Sequence, residues 1–401
     1  MSGRYKLKIT MLQVRVKPGI EDRIRGFFPW IYRPEIASLS RKPRKGELVV
    51  VRDFGGKFLG YGYINPEVSI AIRILSFDKE EPVTPELIRK RILEAYNYRK
   101  RLYINSNAFR LVHSEGDLLP GLIVDVYGEY AVVEFTTYGM SLFRDVVLSS
   151  LLEILRPRGV YEKTNLTARR VEGIEVEEGV LYGEVPEEVI IWEHDLRYCI
   201  NIPQGQKTGF FLDQRNARRF VRDLVEPGDR CLDVFCHTGG FALNMKKMGA
   251  SEVVAVDLSE LALAVGRKNE ELNRLSGINW VNANAFDFLR DLDRAGERFD
   301  VVVIDPPSFA KNRHAVPNAL RGYKELCVRG LRLTKPGGYL AIFSCSFHVT
   351  EQHLFDVMTQ ASYDVRRQVR VVARTFQDKD HPWILQMPNT LYLKGIWVEV
   401  V

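Results

Sequence analysis

From about residue 197 onward the chain alternates short apolar runs with longer segments of helical period. Residues 230–235, 252–257, 278–281, 299–304 and 339–344 read as strands, and 241–248, 261–275, 286–293, 323–333 and 351–361 as the helices between them. Strands joined by helix-length connections pair in parallel, because a tight turn cannot join them, so this half predicts a doubly wound α/β sheet. Two further β-rich segments, 369–375 and 391–400, are expected to add an antiparallel pair at one edge. In an open sheet of this kind ligands bind beyond the carboxyl ends of the strands, so the residues that close each strand are the candidates for chemistry.

Those residues are distinctive. The first strand ends at Asp233 and enters a turn, Phe235-Cys236-His237-Thr238-Gly239-Gly240, that leads into a helix. The second ends at Asp257, 24 residues beyond Asp233, where a carboxylate can accept both hydroxyls of a ribose. A turn this poor in glycine fits a nucleotide-like cofactor without a pyrophosphate better than a dinucleotide. The third strand leads to Asn284-Ala285-Phe286, suited to the edge and face of an adenine. The fourth closes with Asp305-Pro306-Pro307-Ser308-Phe309, where prolines stiffen a turn that presents Asp305. The fifth closes with Ser344-Cys345-Ser346. Neighbouring strands lie about 5 Å apart, so Asp305 and Cys345 are expected within reach of one pyrimidine ring. An acid and a thiol so placed, beside a cofactor turn, suggest methyl transfer to a pyrimidine base. Ahead of the sheet, residues 204–215 form a glycine-bearing loop running into a helix with Asp213, Gln214, Arg215, Arg218 and Arg219. This loop is expected to fold over the cofactor, with Gln214 or Arg215 meeting a carboxylate.

The rest of the chain supplies context. Its 401 residues, 46% of them apolar, predict two or three domains. Residues 1–110 hold 23 lysines and arginines against 11 acidic residues, a net charge of +12 that leaves −6 elsewhere. A basic front joined to a mildly acidic body suits a chain that grips a phosphate backbone at one end and does chemistry at the other. Alternating segments at 11–16, 48–52, 58–64 and 70–75 predict a small β-barrel within residues 1–80. Between them Arg23, Arg25, Phe27, Phe28 and Trp30 mix cations with rings in a way that suits RNA. Thr84-Pro85-Glu86 starts a helix expected to reach about Leu102, and residues 81–195 read as a small α+β middle domain without a catalytic constellation. The remainder, 196–401, is the sheet domain. Five cysteines without a CxxC pair argue against disulfides and structural zinc. Cys231 and Cys327 are assigned to the core and Cys236 to the cofactor turn. No HExxH is present, and no metal site is expected. The apolar runs are too short for a membrane span and the N-terminus lacks a signal-peptide core, so a cytoplasmic, membrane-free protein is expected.

With residues 26–30, 117–122, 207–215, 235–241, 305–309, 322–324, 344–346, 380–382 and 391–395, the chain resembles a known family over nearly its whole length. That family is the class I S-adenosylmethionine-dependent 23S ribosomal RNA 5-methylcytosine methyltransferases, of the large-subunit methyltransferase I type. The resemblance implies a PUA domain at the N-terminus and a Rossmann-like methyltransferase sheet at the C-terminus. It also implies S-adenosylmethionine on Asp233, Phe235, Cys236, Thr238 and Gly239, its ribose on Asp257 and Leu258, and its adenine by Asn284 and Ala285. Phe211, Gln214 and Arg215 would cover it. Cys345 would be the nucleophile and Asp305 would face the cytosine. The implied partner is ribosomal RNA with an unpaired or flipped cytosine, and a homodimer is a possible assembly. Carbon 5 of cytosine becomes nucleophilic once a thiolate adds to carbon 6 and an acid engages nitrogen 3. Three positions depart from the expected pattern: Asn284 replaces an acidic residue, Phe347-His348 follows where a small residue is usual, and Ser308 stands where the other type of RNA 5-methylcytosine enzyme has a second cysteine. Two rival readings stay open, methylation of an exocyclic amine by the Asp-Pro-Pro turn and a non-catalytic RNA-binding assembly factor.

Overall fold

Seven strands build the C-terminal sheet: β1 (Arg230–Val234), β2 (Glu252–Asp257), β3 (Ile278–Asn282), β4 (Phe299–Ile304), β5 (Thr334–Ser344), β6 (Val369–Phe376) and β7 (Lys394–Val400). They belong to a computed structural model that describes residues 11–175, 178–205, 208–310 and 312–401. Gln206 and Lys207 of the glycine-bearing loop, and the chain before Met11, lie outside the described residues. The spatial order is β3-β2-β1-β4-β5-β7-β6. The first five strands are parallel. The expected antiparallel pair is present, but β7 lies inside, hydrogen-bonded to both β5 and β6. Between β1 and β4 the order of the strands reverses, and the crevice beyond their carboxyl ends opens there.

Five helices cover the sheet: α1 (Gly240–Lys247), α2 (Glu260–Leu272), α3 (Ala285–Arg294), α4 (Val316–Leu333) and α5 (Glu351–Val365). Alternate strand residues feed two cores. Cys231, Val253, Val301, Val303 and Phe343 pack with Phe241 and Trp397 on one face. Leu232, Val234, Val302, Ile304 and Ile342 pack with Tyr323 and Leu326 of α4 on the other. Burial on both faces is why these strands read as unbroken apolar runs, and each fully buried aliphatic side chain contributes about 1.5–3 kcal/mol.

The N-terminal strands form a six-stranded sheet in the order Trp30–Tyr32, Ile70–Ser76, Phe58–Ile64, Glu47–Arg52, Leu12–Val16, Ile36–Leu39. Its first and last strands are joined by the three-residue turn Arg33–Glu35, so the sheet must curl until its edges approach. The two short edge strands escaped the sequence pattern, being three and four residues long. A helix, Pro85–Arg101, capped by the Thr84 hydroxyl, connects to a five-stranded sheet ordered Gly179–Gly183, Gly159–Lys163, Tyr130–Phe135, Leu122–Tyr127, Ala108–His113. Next comes a hairpin, Glu188–Glu193 with Leu196–Asn201, paired along its full length. The expected division between residues 195 and 196 falls in the turn of this hairpin. Among the described residues no helix is long and apolar enough to cross a membrane.

Candidate active site

The turn after β1 takes an unusual path. Phe235, His237 and Gly239 all adopt left-handed backbone angles, with φ of 64°, 51° and 83°. For the two non-glycine residues this conformation is strained, and such strain gathers where a backbone must meet a ligand. Asp257, at the end of β2, fixes the turn by accepting a hydrogen bond from His237 N at 2.9 Å, and its other oxygen accepts from Ser259 N at 2.9 Å. Each oxygen keeps a lone pair for a further donor.

A cleft of about 490 Å³ opens at this switch point. Its wall includes Phe211, Gln214, Phe235, Cys236, Thr238, Asp257, Leu258, Asn284, Ala285, Asp305 and Cys345. These expected residues come together on one connected surface made from six separate segments. Much of that surface is aromatic, with Phe235, Phe286 and Phe309 in successive ring contacts of 6.5 and 6.2 Å, the last backed by the buried ring of Tyr323 at 5.0 Å. Set into it are buried polar atoms without a hydrogen-bond partner, Gln214 Oε1 and Thr238 Oγ1, with Asp233 Oδ1 behind them. Unsatisfied polar atoms at the edge of an apolar cleft fit a ligand with a flat ring system and a polar, charged tail, as S-adenosylmethionine has. Asp233 is fully buried, and that burial, with the charges of Asp305 and Asp257 nearby, pushes its carboxyl up to about 8.

At the other end of the cleft the Asp305 carboxylate accepts a hydrogen bond from Gln214 Nε2 at 2.9 Å. Opposite stands the turn that follows β5. Ser344 Oγ accepts from the Tyr323 hydroxyl at 2.9 Å, and Ser346 Oγ lies 2.8 Å from Ser308 Oγ while accepting from Ala310 N at 3.3 Å. Both serines are buried and tied down, whereas Cys345 between them is half-buried in the cleft wall. The other four cysteines are buried.

Three expected cofactor contacts stand elsewhere. Arg215 does not line the cleft; its guanidinium turns to the middle region, where it meets Asp380 at 3.1 Å, Ala108 O at 2.7 Å and Glu193 at 3.4 Å. Asp233 and Gly239 lie behind the wall. Asp233 Oδ2 accepts from Ala242 N at 2.8 Å, pinning the start of α1, and Gly239 leaves room for the Trp280 ring, which a Cβ there would meet at 2.3 Å. Asn284 lines the cleft, but its carbonyl oxygen caps α3 by accepting from Phe286 N and Asp287 N at 3.0 and 3.4 Å. The acceptor expected for an adenine amino group is therefore shared with the helix.

Other residues at the site went without a role in the sequence. Tyr323 ties down Ser344, Tyr392 donates to Asp213 Oδ2 at 2.5 Å, and Lys394 reaches the Cys345 turn. All three lie in motifs that carried the family resemblance. The signal was present, but no local pattern said what these side chains touch.

Residues 172–364 match the family model described as S-adenosylmethionine-dependent methyltransferase, and residues 14–77 match that of a PUA-like domain. The chain is 36% identical over 396 residues to the ribosomal RNA large subunit methyltransferase I of Shewanella denitrificans, covering 97% of this chain and 99% of that one. It is 35% identical over 383 residues to the protein of the same name from Tolumonas auensis, covering 93% and 95%. Among solved structures, a putative SAM-dependent methyltransferase from Streptococcus mutans has the same fold, with a TM-score of 0.84 at 21% identity over 98% of this chain and 100% of that one. A putative methyltransferase complexed with SAH gives 0.86 at 22% identity, over the same shares. Identity above one third along nearly the full length, on a sheet with this order and a cleft of this character, places the chain in the ribosomal RNA large subunit methyltransferase I family, with S-adenosylmethionine as its cofactor.

Proposed function

We propose that the protein methylates carbon 5 of a cytosine in large-subunit ribosomal RNA, with Cys345 as nucleophile. The observation that carries this reading is the pairing of Cys345 and Asp305 in one cleft wall, the thiol on a turn fixed at both flanks and the carboxylate held by Gln214. The substrate follows from the names of the relatives and from the PUA-like domain. A duplex hides carbon 5 inside the stack, so the target base is unpaired or flipped out.

The residues divide the work as follows. The Cys345 thiolate adds to carbon 6 while Asp305 engages nitrogen 3, and the ring becomes an enamine with electron density on carbon 5. S-adenosylmethionine supplies the methyl group as a sulfonium, whose transfer needs no further activation. Gln214 and Thr238, with their unpaired oxygens, and the Asp257 carboxylate would hold the cofactor. Once carbon 5 has taken the methyl group and given up its own proton to a base, the freed electron pair restores the 5,6 double bond, the bond between Sγ and carbon 6 breaks and the thiolate is released.

Replacing Cys345 with Ala tests the reading. Nucleoside mass spectrometry of ribosomal RNA incubated with each protein is expected to show 5-methylcytosine with the native enzyme and at least a ~1,000-fold slower reaction with the variant, cofactor affinity being kept. Full activity in the variant would instead favour methylation of an exocyclic amine presented to the Asp305-Pro306-Pro307 turn. Cofactor binding with no transfer by the native chain would favour an assembly factor.

A further inference from the structure

Lys394 opens β7 directly opposite Ser344, the last residue of β5. Its side chain is 4% exposed. The ammonium donates to Ser346 O at 2.8 Å and to Val349 O at 2.6 Å, two carbonyls of the turn that begins at Cys345. Among the described residues no carboxylate lies within ion-pair distance of it, since Glu351 of α5 acts on it only from farther away. A buried ammonium without a counter-charge is strongly disfavoured, and burial indeed lowers Lys394 to about 8, with Cys345 acting in the opposite sense. An anion forming beside such a group would hold the proton on it. Each neighbouring titratable group can be weighed. Tyr392, on the loop before β7, and Tyr323, on α4, are both pushed up by burial and stay neutral. Asp305, across the cleft, brings no positive charge to the sulfur. Among the described residues, Lys394 is a cation next to the thiol.

We propose that Lys394 is the positioning residue of Cys345: its ammonium clamps the turn that carries the thiol and supplies the positive charge against which the thiolate forms. The proposal rests on Cys345 being the nucleophile for its purpose, but its test does not. Cys345 loses its proton to solvent and Lys394 keeps its own, so the pair exists as thiolate and ammonium.

The measurement is the rate at which iodoacetamide alkylates Cys345 in the full chain between pH 5 and 10, read on the Cys345 peptide by mass spectrometry. No RNA is needed, and the four buried cysteines serve as internal controls. The native thiol is expected to titrate at least one unit below the ~8.5 of an ordinary cysteine. Lys394→Met should raise that midpoint by one unit or more and slow alkylation at pH 7 about 10-fold, whereas Lys394→Arg should stay near the native midpoint. A native midpoint at or above ~8.5 overturns the proposal without any variant. An unchanged midpoint in folded Lys394→Met, or equal shifts in Met and Arg variants, also overturns it by leaving only a structural role. If the midpoint moves as expected while Cys345→Ala still methylates RNA, the nucleophile reading fails and the charge pair stands.

Discussion

Segment 211–218 borders two buried polar regions built on opposite terms. On one side, at the junction with the middle region, charges are matched. Arg218 makes two bonds of 2.7 Å to Glu193, Arg110 makes two of 2.7 Å to Asp125, and Arg215 lies among Glu193, Asp378 and Asp380. Although burial favours the neutral acid, Arg215 and His381 hold the Asp380 carboxyl well below the ordinary range. On the other side, Gln214 Oε1 and Thr238 Oγ1 in the cleft wall, and Asp233 Oδ1 behind it, are buried without partners. Gln214 and Arg215 are adjacent in sequence, yet one faces each region. The junction spends its polar groups on its own cohesion; the cleft withholds them for a ligand. The difference is one of charge pairing: at the junction even Arg215 Nε, which makes no hydrogen bond, stands 3.4 Å from the Glu193 carboxylate, whereas the two cleft oxygens have neither a hydrogen bond nor an ion pair.

The contrast breaks if the junction proves dispensable. Arg215→Ala removes the cation shared by three carboxylates, two of them on the loop before β7. Losing one partner of a buried ion pair costs about 3–5 kcal/mol, because the remaining charge stays buried. Urea unfolding should register a loss of that size, while the folded fraction keeps its affinity for the cofactor. A loss below about 1 kcal/mol would mean that water reaches the junction and that its charges were never desolvated.

A second effect separates the regions by pH. The folded-state value for Asp233 is raised to about 8, well above that of an unfolded aspartate. At low pH both states are protonated. As pH rises from about 4 the unfolded carboxyl ionises first, so this group's contribution falls by at most about 1.4 kcal/mol per pH unit and levels off above pH 8. The Asp233→Asn variant should lose that slope between pH 5 and 8 in thermal melts at matched ionic strength. An identical slope in both proteins would show that the carboxyl is ionised or solvated in the fold.

How much of this was legible in sequence follows from where the determining contacts lie. β1 to β5 were readable because burial on both faces makes them unbroken apolar runs. Asp257, Asp305 and Cys345 were readable because topology sends strand ends to one crevice. Arg215 was not, since its partners Asp378 and Asp380 stand more than 160 residues downstream and nothing local says which way the side chain turns. Lys394 was hidden for a related reason, as a cation inside an apolar strand whose two acceptors are backbone carbonyls on another strand's turn. Asn284 differs. An Asn immediately before a helix is a local capping signal, and the ligand reading took precedence over it. In the mixed stretch that suits RNA, Arg23 and Arg25 pair with Glu35 and Asp53 yet stay partly exposed, Trp30 donates to Glu115, and Phe27 is exposed at 57%, which no local pattern distinguished.

Gln214 offers the finest test of the contrast, because it is buried like its neighbour and yet belongs to the cleft. Gln214→Ala removes one neutral donor from the Asp305 carboxylate and an acceptor oxygen that has no partner in the protein. Little of the scaffold depends on either, so unfolding should shift by less than about 2 kcal/mol, below the Arg215→Ala loss. Function should suffer more than stability. Asp305 loses a contact that orients it, and a reacting group misplaced by about an ångström slows a reaction by roughly 100-fold. The decisive comparison is therefore a ratio: Gln214→Ala should reduce methyl transfer strongly for a small stability change, and Arg215→Ala should do the reverse once measured below its unfolding transition. If the two variants lose stability and activity in the same proportion, the boundary drawn between residues 214 and 215 is not a functional one, and unpaired polar atoms in this cleft carry no information about its ligand.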